Sequence, residues 1–365
     1  MRPDHHSGLV RFTAFMTALL AAWLPVFASP APAPKRVTKH SSPSRKAGVD
    51  NTVGDVDMFD DPFVRQAAIR GLGRYNGSVV AIDPNSGRIL TIVNQKMAFS
   101  AGFKPCSTIK PVIAVAALEE GIVTRETMIR VKRRKTLNLT EAMAHSNNAY
   151  FEELGRRMGF ATVSNYARTL GLGELAGYEI PEEQPGSLPD GPPRRGGVAR
   201  MSSFGEGIQM TPLQLGALVS SVANGGTLYY LQYPRSIDDE VNFQPRIKRT
   251  LDIQSLIPDL HEGMHAAVLR GTARRSNMPD SEEASGKTGS CSDSGMRLGW
   301  FASYVDQPRM KIVLVVLMRG HKFADRGPVA AGIAGRIYHQ LDSEDYSTIP
   351  DRLADKPVIA QTPSQ

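Results

Sequence analysis

The chain holds 365 residues, 41% hydrophobic and 22% charged, ordinary globular proportions with ample material for a sizeable core in one large domain or two small ones. Its formal charge of +7 sits largely in runs at 35–46 and 130–135 that lack interleaved aromatics for stacking bases. A nucleic-acid partner is therefore excluded, and the balance suits work beside an anionic membrane or polymer.

Residues 12–28 (FTAFMTALLAAWLPVFA) carry no charge and follow Arg2 and Arg11. A basic start, an apolar run and a small-residue site at Val26-Phe27-Ala28 describe a signal peptide over 1–28. The run is also just long enough to act as an inner-membrane anchor. Either way the remainder is expected to be exported, to the periplasm or the extracytoplasmic face of the membrane. Residues 29–61 read as a flexible linker, Pro/Ser/Ala/Lys-rich to position 47 and acidic from 50 to 61. The folded domain is expected over 62–345, with a loose polar tail at 346–365.

Within the domain, residues 77–82 and 88–93 are β-rich runs around the turn Asp83-Pro84-Asn85-Ser86-Gly87, a hairpin signature. Helical signals dominate from 107 to 224, including stretches at 139–145 and 149–158 and a helix that opens at Thr211-Pro212 and closes at Asn224-Gly225-Gly226. Strand signals return at 284–291, 298–305 and 310–318, and a helical pattern rich in Ala and Ile spans 328–341. Two early strands, a helical middle and three late strands predict one sheet in which early and late strands pair, with the helices as a separate layer.

Three short elements carry candidate chemistry. Pro105-Cys106-Ser107-Thr108-Ile109-Lys110-Pro111 leads into an apolar helix, and Pro111 is tolerable only in its first turn, which places Ser107 at the helix start. Unpaired N–H groups there favour a developing oxyanion. Lys110, one turn on, reaches the serine oxygen and acts as a base if burial or a second cation lowers its pKa. In His145-Ser146-Asn147-Asn148, Ser146 can relay a proton and Asn148 offers an amide to a peptide backbone. In Gly286-Lys287-Thr288-Gly289-Ser290, a lysine and a hydroxyl on a strand suit a carboxylate, and the glycines let a substrate backbone approach the edge. Taken singly, each has a plain structural reading: a capping serine, a loop cap, a solvated strand lysine. Together the three patterns occur once each, in the order 107, 146, 287.

These residues resemble the transpeptidase module of the penicillin-binding proteins, in the serine β-lactamase/D,D-peptidase superfamily. The resemblance is carried by 79–87, by PCSTIKP at 105–111, by GEGIQMTPLQLGALVSSVANGG at 205–226, and by RGTARRSNMPDSEEASGKTGS at 270–290 with Gly299-Trp300-Phe301. It implies an α+β fold with an antiparallel sheet of about five strands flanked by a helical layer. It implies that Ser107 attacks a D-Ala-D-Ala stem peptide of peptidoglycan, or a β-lactam, and that Lys110 takes its proton and Ser146 relays it. Asn148 would bind the substrate amide, Lys287 and Thr288 would face its carboxylate, and the N–H groups of Ser107 and Ser290, the latter beside Gly289, would form the oxyanion hole. No cofactor or metal is implied. Turnover of stem peptides by transpeptidation or carboxypeptidation is the leading expectation; a hydrolytic β-lactamase and a non-turnover penicillin sensor are the alternatives.

Four features depart from the pattern or compete with it. Relatives usually carry glycine before the nucleophile where this chain has Cys106; a periplasmic disulfide between Cys106 and Cys291 is conceivable, but free thiols are the preferred reading, because spacing alone does not supply cross-link geometry. Ser146 follows Ser107 by only 39 positions, so the basic segment 124–140 suggests a cut-down groove wall, and with no pedestal domain preceding the module a small accessory protein is expected. Glu182 and Glu183 are read as decorating a turn rather than as a deacylating device. His261-Glu262-Gly263-Met264-His265 matches a zinc-peptidase motif, yet Gly263 weakens the helix, and the histidines are expected to be solvent-facing on a structural helix.

Overall fold

The computed structural model describes residues 49–278, 284–321 and 326–347. The apolar run at 12–28 and the tail beyond 347 lie outside the described residues, among which no helix is long and apolar enough to cross a membrane. Helix α1 (Pro62–Leu72) starts where Asp61 caps it by accepting from the N–H groups of Phe63 and Val64, an arrangement worth about 1 kcal/mol. The acidic residues before it, expected to be linker, are instead packed. Asn51 donates to Tyr75 O at 2.7 Å, Asp55 accepts from the N–H groups of Asn94 and Gln95 at 3.1 and 2.9 Å, and Arg65 pairs with Asp55, Asp57 and Asp60. Composition marks such a stretch as polar but cannot show that its carboxylates have buried donors waiting.

Strands β1 (Gly77–Ile82) and β2 (Ile89–Val93) form the expected hairpin, with Asp83 accepting from Asn85 N–H and Ser86 Oγ within the turn. After the single-turn α2 (Gln95–Ala98), a 3-10 turn at Cys106–Ile109 runs directly into α3 (Lys110–Glu119). The stretch expected to be mainly helical is then interrupted by a basic hairpin, β3 (Ile129–Lys132) and β4 (Lys135–Leu137), anchored by the buried pair Ile129 and Leu137. Helices α4 (Leu139–Ala144) and α5 (Asn148–Thr169) follow; α5 breaks at Gly159, whose φ of 80° suits glycine alone. Next come α6 (Gly197–Phe204) and α7 (Pro212–Ala223), the latter opened by a reciprocal Thr211–Gln214 capping box. A small ribbon, β5 (Thr227–Tyr229) with β6 (Ile247–Thr250), has α8 (Ile237–Val241) between its strands in sequence. The chain continues through α9 (Ile257–Leu269), β7 (Ala284–Asp293), β8 (Met296–Asp306), β9 (Lys311–Gly320) and α10 (Gly327–Ser343). Tyr346, expected in a loose tail, is buried and donates to Asp61 at 2.9 Å.

The main sheet has the order β2-β1-β9-β8-β7, antiparallel throughout. Early and late strands meet as expected, Val79 opposite Val316 and Val80 opposite Val315. Alternation then sorts the side chains. Val79, Ala81, Leu314 and Val316 pack with Val64, Leu72, Ile333 and Ile337 of α1 and α10, while Val80, Ile82, Val313 and Val315 pack with Ile113, Leu215 and Leu218 of α3 and α7. Burial on both faces explains why β9 reads as an unbroken apolar run instead of an alternating one. The sheet is thus covered by two helical layers, and its edge strand β7 lies beside the start of α3.

Candidate active site

Ser107 lies in the 3-10 turn, 9% exposed, three residues ahead of Lys110. In so tight a turn side chains at that spacing stack in one column. The turn is held from two sides. Thr108 Oγ1 donates to Pro105 O at 2.6 Å, and Trp300 Nε1, from β8, donates to Lys104 O at 3.0 Å. Lys110 is 0% exposed. Its amine donates to Ser146 O at 2.7 Å, Ser146 Oγ at 3.0 Å and Asn148 Oδ1 at 2.7 Å, while no hydrogen bond to Ser107 Oγ is formed among the described residues. Reactive contacts are often long before substrate arrives, and here the amine is held by its neighbours instead.

Ser146 sits in the short link between α4 and α5, and Asn147 caps α5 by accepting Tyr150 N–H at 3.0 Å. The backbone of Ser146 is left-handed, with φ of 53°, a conformation that costs a residue with a Cβ about 1 kcal/mol or more and tends to mark functional positions. Lys287 arrives from β7 and donates to the same Ser146 Oγ at 2.8 Å and to Thr288 O at 3.1 Å. One hydroxyl therefore receives two amines from segments far apart in the chain. Burial, then the charge of Lys287, holds the Lys110 amine well below its ordinary pKa, against a smaller upward pull from Glu152. Burial alone brings Lys287 down to about 7. A bound carboxylate would pull that value back up, because an opposite charge favours the ammonium.

The remaining residues line the edge of β7, whose partner on the other side is β8. A Cβ at Gly289 would lie 2.9 Å from Pro105 O and 3.1 Å from Thr108 Cγ2, so only glycine lets the turn that holds Ser107 seat against the strand. Thr288 Oγ1 donates to Thr272 Oγ1 at 2.6 Å, and Ser290 Oγ accepts from Gly327 N–H at 2.9 Å. Thr272 lies in the stretch 270–273 that carries the family resemblance, whereas no local pattern marks the start of α10 as a neighbour of Ser290. A cavity of about 350 Å³ opens beside them, lined by Thr272, Arg274, Arg275 and Arg326 among others.

Of the two alternatives for the cysteines, the structure shows the less expected one, and the preferred reading of free thiols is corrected. Cys106 and Cys291 form a disulfide with a Cα–Cα distance of 5.6 Å, within the usual range. Cys106 has a φ of 55°, a left-handed backbone that favours glycine. The pairing also shows why spacing was no guide, since 185 residues separate the partners and only the docking of the turn on β7 brings them together.

The competing motifs lie elsewhere. Glu262 points outward to Arg125 at 2.6 Å. The two histidines are not solvent-facing, as expected, but half-buried against the sheet. His261 Nδ1 meets Tyr304 Oη at 2.9 Å and Ser285 Oγ at 3.1 Å, and His265 Nδ1 meets Ala284 O at 2.9 Å. Among the described residues no group of three or more His, Cys, Asp or Glu is placed to hold a metal ion. Glu183 clamps a turn by accepting the N–H groups of Ala176 and Gly177 at 2.9 and 2.7 Å, and Glu182 pairs with Arg235.

Residues 77–339 match the penicillin binding protein transpeptidase domain. The chain is 26% identical over 310 residues to stage V sporulation protein D of Bacillus subtilis, covering 71% of this chain and 48% of that protein. It is 22% identical over 356 residues to the peptidoglycan D,D-transpeptidase MrdA of Haemophilus influenzae, covering 74% and 54%. The chain thus spans about half the length of these two curated relatives. Among solved structures, the apo transpeptidase domain of Burkholderia pseudomallei penicillin-binding protein 3 superposes with a TM-score of 0.66 at 19% identity, covering 80% of this chain and 96% of that one. Pseudomonas aeruginosa PBP2 in complex with WCK 5153 gives 0.67 at 20% identity, covering 80% and 77%. With the family model matching well over half its length, the chain belongs to the penicillin-binding protein transpeptidase domain family.

Proposed function

We propose that the protein is an exported D,D-transpeptidase or D,D-carboxypeptidase that acylates Ser107 with peptidoglycan stem peptides and is inhibited by β-lactams acting at the same serine. The observation that carries this reading is the sharing of Ser146 Oγ by two buried amines, Lys110 at 3.0 Å and Lys287 at 2.8 Å. When Lys110 loses one proton, two N–H donors remain for Ser146 O and Asn148 Oδ1, and the freed lone pair takes the Ser107 proton as Oγ attacks the carbonyl carbon of the penultimate D-alanine. The N–H groups of Ser107 and Ser290 receive the oxygen as it gains charge, each donor contributing about a hundredfold to a thousandfold. The proton then passes from Lys110 through Ser146 to the terminal D-alanine nitrogen as the C–N bond breaks. An acceptor amine or water next attacks the ester, giving transpeptidation or carboxypeptidation.

A leaving group that ends in a carboxylate suits the basic cavity beside Thr272, where Arg274, Arg275 and Arg326 converge and the Thr288 hydroxyl is one hydrogen bond away. Asn148 has its Oδ1 committed to Lys110, which leaves its amide N–H₂ to meet a substrate carbonyl. Export is supported by the disulfide, a bond that persists in oxidising compartments, and by the signal-like run at 12–28.

A fluorescent penicillin should label the purified protein covalently, and Ser107→Ala should lower labelling by on the order of a millionfold, below detection. Labelling retained in that variant would sink the assignment. Intact mass followed over time separates the other readings. A lasting adduct together with D-alanine release from a D-Ala-D-Ala peptide supports the peptidase, a lasting adduct without release points to a sensor, and rapid loss of the adduct points to a β-lactamase.

A further inference from the structure

We infer that the Cys106–Cys291 disulfide is a positioning element for acyl transfer, holding the backbone N–H groups of Ser107 and Ser290 at the separation that receives the carbonyl oxygen. The inference rests on the proposed role of Ser107. Each half-cystine is the immediate neighbour of one of those two residues, Cys106 before Ser107 and Cys291 after Ser290. The bond therefore spans the oxyanion pocket at its narrowest covalent reach.

Two features of the backbone make such a tie necessary here. Strand β7 is buried from Ala284 to Gly289 and loses its cover from Ser290 onward. Packing that fixes Lys287, Thr288 and Gly289 ends where the second oxyanion donor begins. Beyond it, Ser292, Ser294 and Gly295 are exposed at the tip of the β7–β8 hairpin. On the other side of the pocket, Cys106 is left-handed at φ 55°, a conformation glycine holds freely and cysteine does not. The Ser107 N–H belongs to the peptide plane that follows this φ/ψ pair. A Cβ at 106 without a tether would draw the backbone towards an ordinary region and turn that N–H away. The sulfur link restrains both problems at once, with Cys106 fully buried and Cys291 half-buried.

The double variant Cys106→Ala/Cys291→Ser keeps the Cβ and loses the tie, whereas Cys106→Gly/Cys291→Ser loses the tie and removes the need for a non-glycine residue to be left-handed. Stopped-flow acylation with the fluorescent penicillin resolves the non-covalent dissociation constant from the first-order acylation rate. The alanine variant should lose about a hundredfold in the acylation rate, the scale of one oxyanion donor, with the dissociation constant within threefold of wild type. The glycine variant should recover at least tenfold of that loss. An alanine variant that acylates within twofold of wild type, one whose loss lies in the dissociation constant, or a glycine variant no faster than the alanine one overturns the inference. Should the alanine variant not fold, the wild-type protein is treated with dithiothreitol, whose two thiols pass two electrons and two protons to the disulfide and close into its own cyclic disulfide. Acylation that falls on reduction and returns on reoxidation supports the inference, and unchanged acylation with both thiols free overturns it. If the oxidised wild-type protein takes no label, the acyl-transfer reading itself fails; if it labels and the alanine variant matches it, only the positioning role fails.

Discussion

Two helical motifs in this chain carry the residue types of known catalysts, Ser107-Thr108-Ile109-Lys110 and His261-Glu262-Gly263-Met264-His265, and their surroundings could hardly differ more. Lys110 is enclosed by Ser146, Asn148 and Lys287 from two other segments, and burial with a like charge depresses its pKa. The histidines spend Nδ1 on Tyr304 and on a backbone carbonyl, and the glutamate turns away to an arginine on the surface. A motif becomes a candidate site when distant segments converge on it and shift its acidities. Otherwise its polar groups are absorbed by the nearest partners, as buried polar groups must be.

The contrast is tested most severely at Lys110. Lys110→Met should slow penicillin acylation by about a thousandfold or more, the scale of a positioned general base, measured as the second-order labelling rate. A loss under tenfold would put Lys110 in the same structural class as the histidines. The coupling between the lysines gives a subtler test with a definite sign. A charged Lys287 disfavours a charged Lys110, so the wild-type labelling rate should rise with pH as Lys110 loses its proton well below 10.5. Removing the charge in Lys287→Met should move that rising limb to higher pH; a limb that stays in place, or moves down, breaks the coupling. Folding stability carries the matching sign. Because Lys287 has a folded pKa of about 7 and an unfolded value near its ordinary 10.5, the unfolded chain binds more protons between them, and this lysine's penalty lessens as pH rises through that window.

The smallest effect is expected at the other motif. His261→Ala/His265→Ala should label with penicillin within about threefold of wild type while losing about 1–2 kcal/mol of stability from the broken bonds to β7, read from denaturant midpoints. Loss of labelling with the fold intact would mean that α9 does more than support the strand.

Much of this arrangement was legible in advance. The hairpin turn at 83–87, the Thr211–Pro212 helix start and the late strands depend on local stereochemistry, which a short window contains in full. The basic hairpin at β3–β4 is not legible locally, because its strands are short and its exposed cations carry no period. The packing of residues 51–61 is illegible for a related reason: their partners, Asn94, Gln95, Thr91 and Tyr233, lie far along the chain.

The order and chemistry of the three elements around Ser107, Ser146 and Lys287 were written in the chain itself, since residue type and local backbone preference need no knowledge of distant neighbours. What the tertiary structure alone decided was the pairing of Cys106 with Cys291, the gathering of two amines on one hydroxyl, and the diversion of His261 and His265 into a helix–sheet contact. Each depends on distances of a few ångströms between residues that are tens to hundreds of positions apart. Such distances are set by how the sheet and its helical layers pack, and side-chain pattern encodes them only through the finished fold.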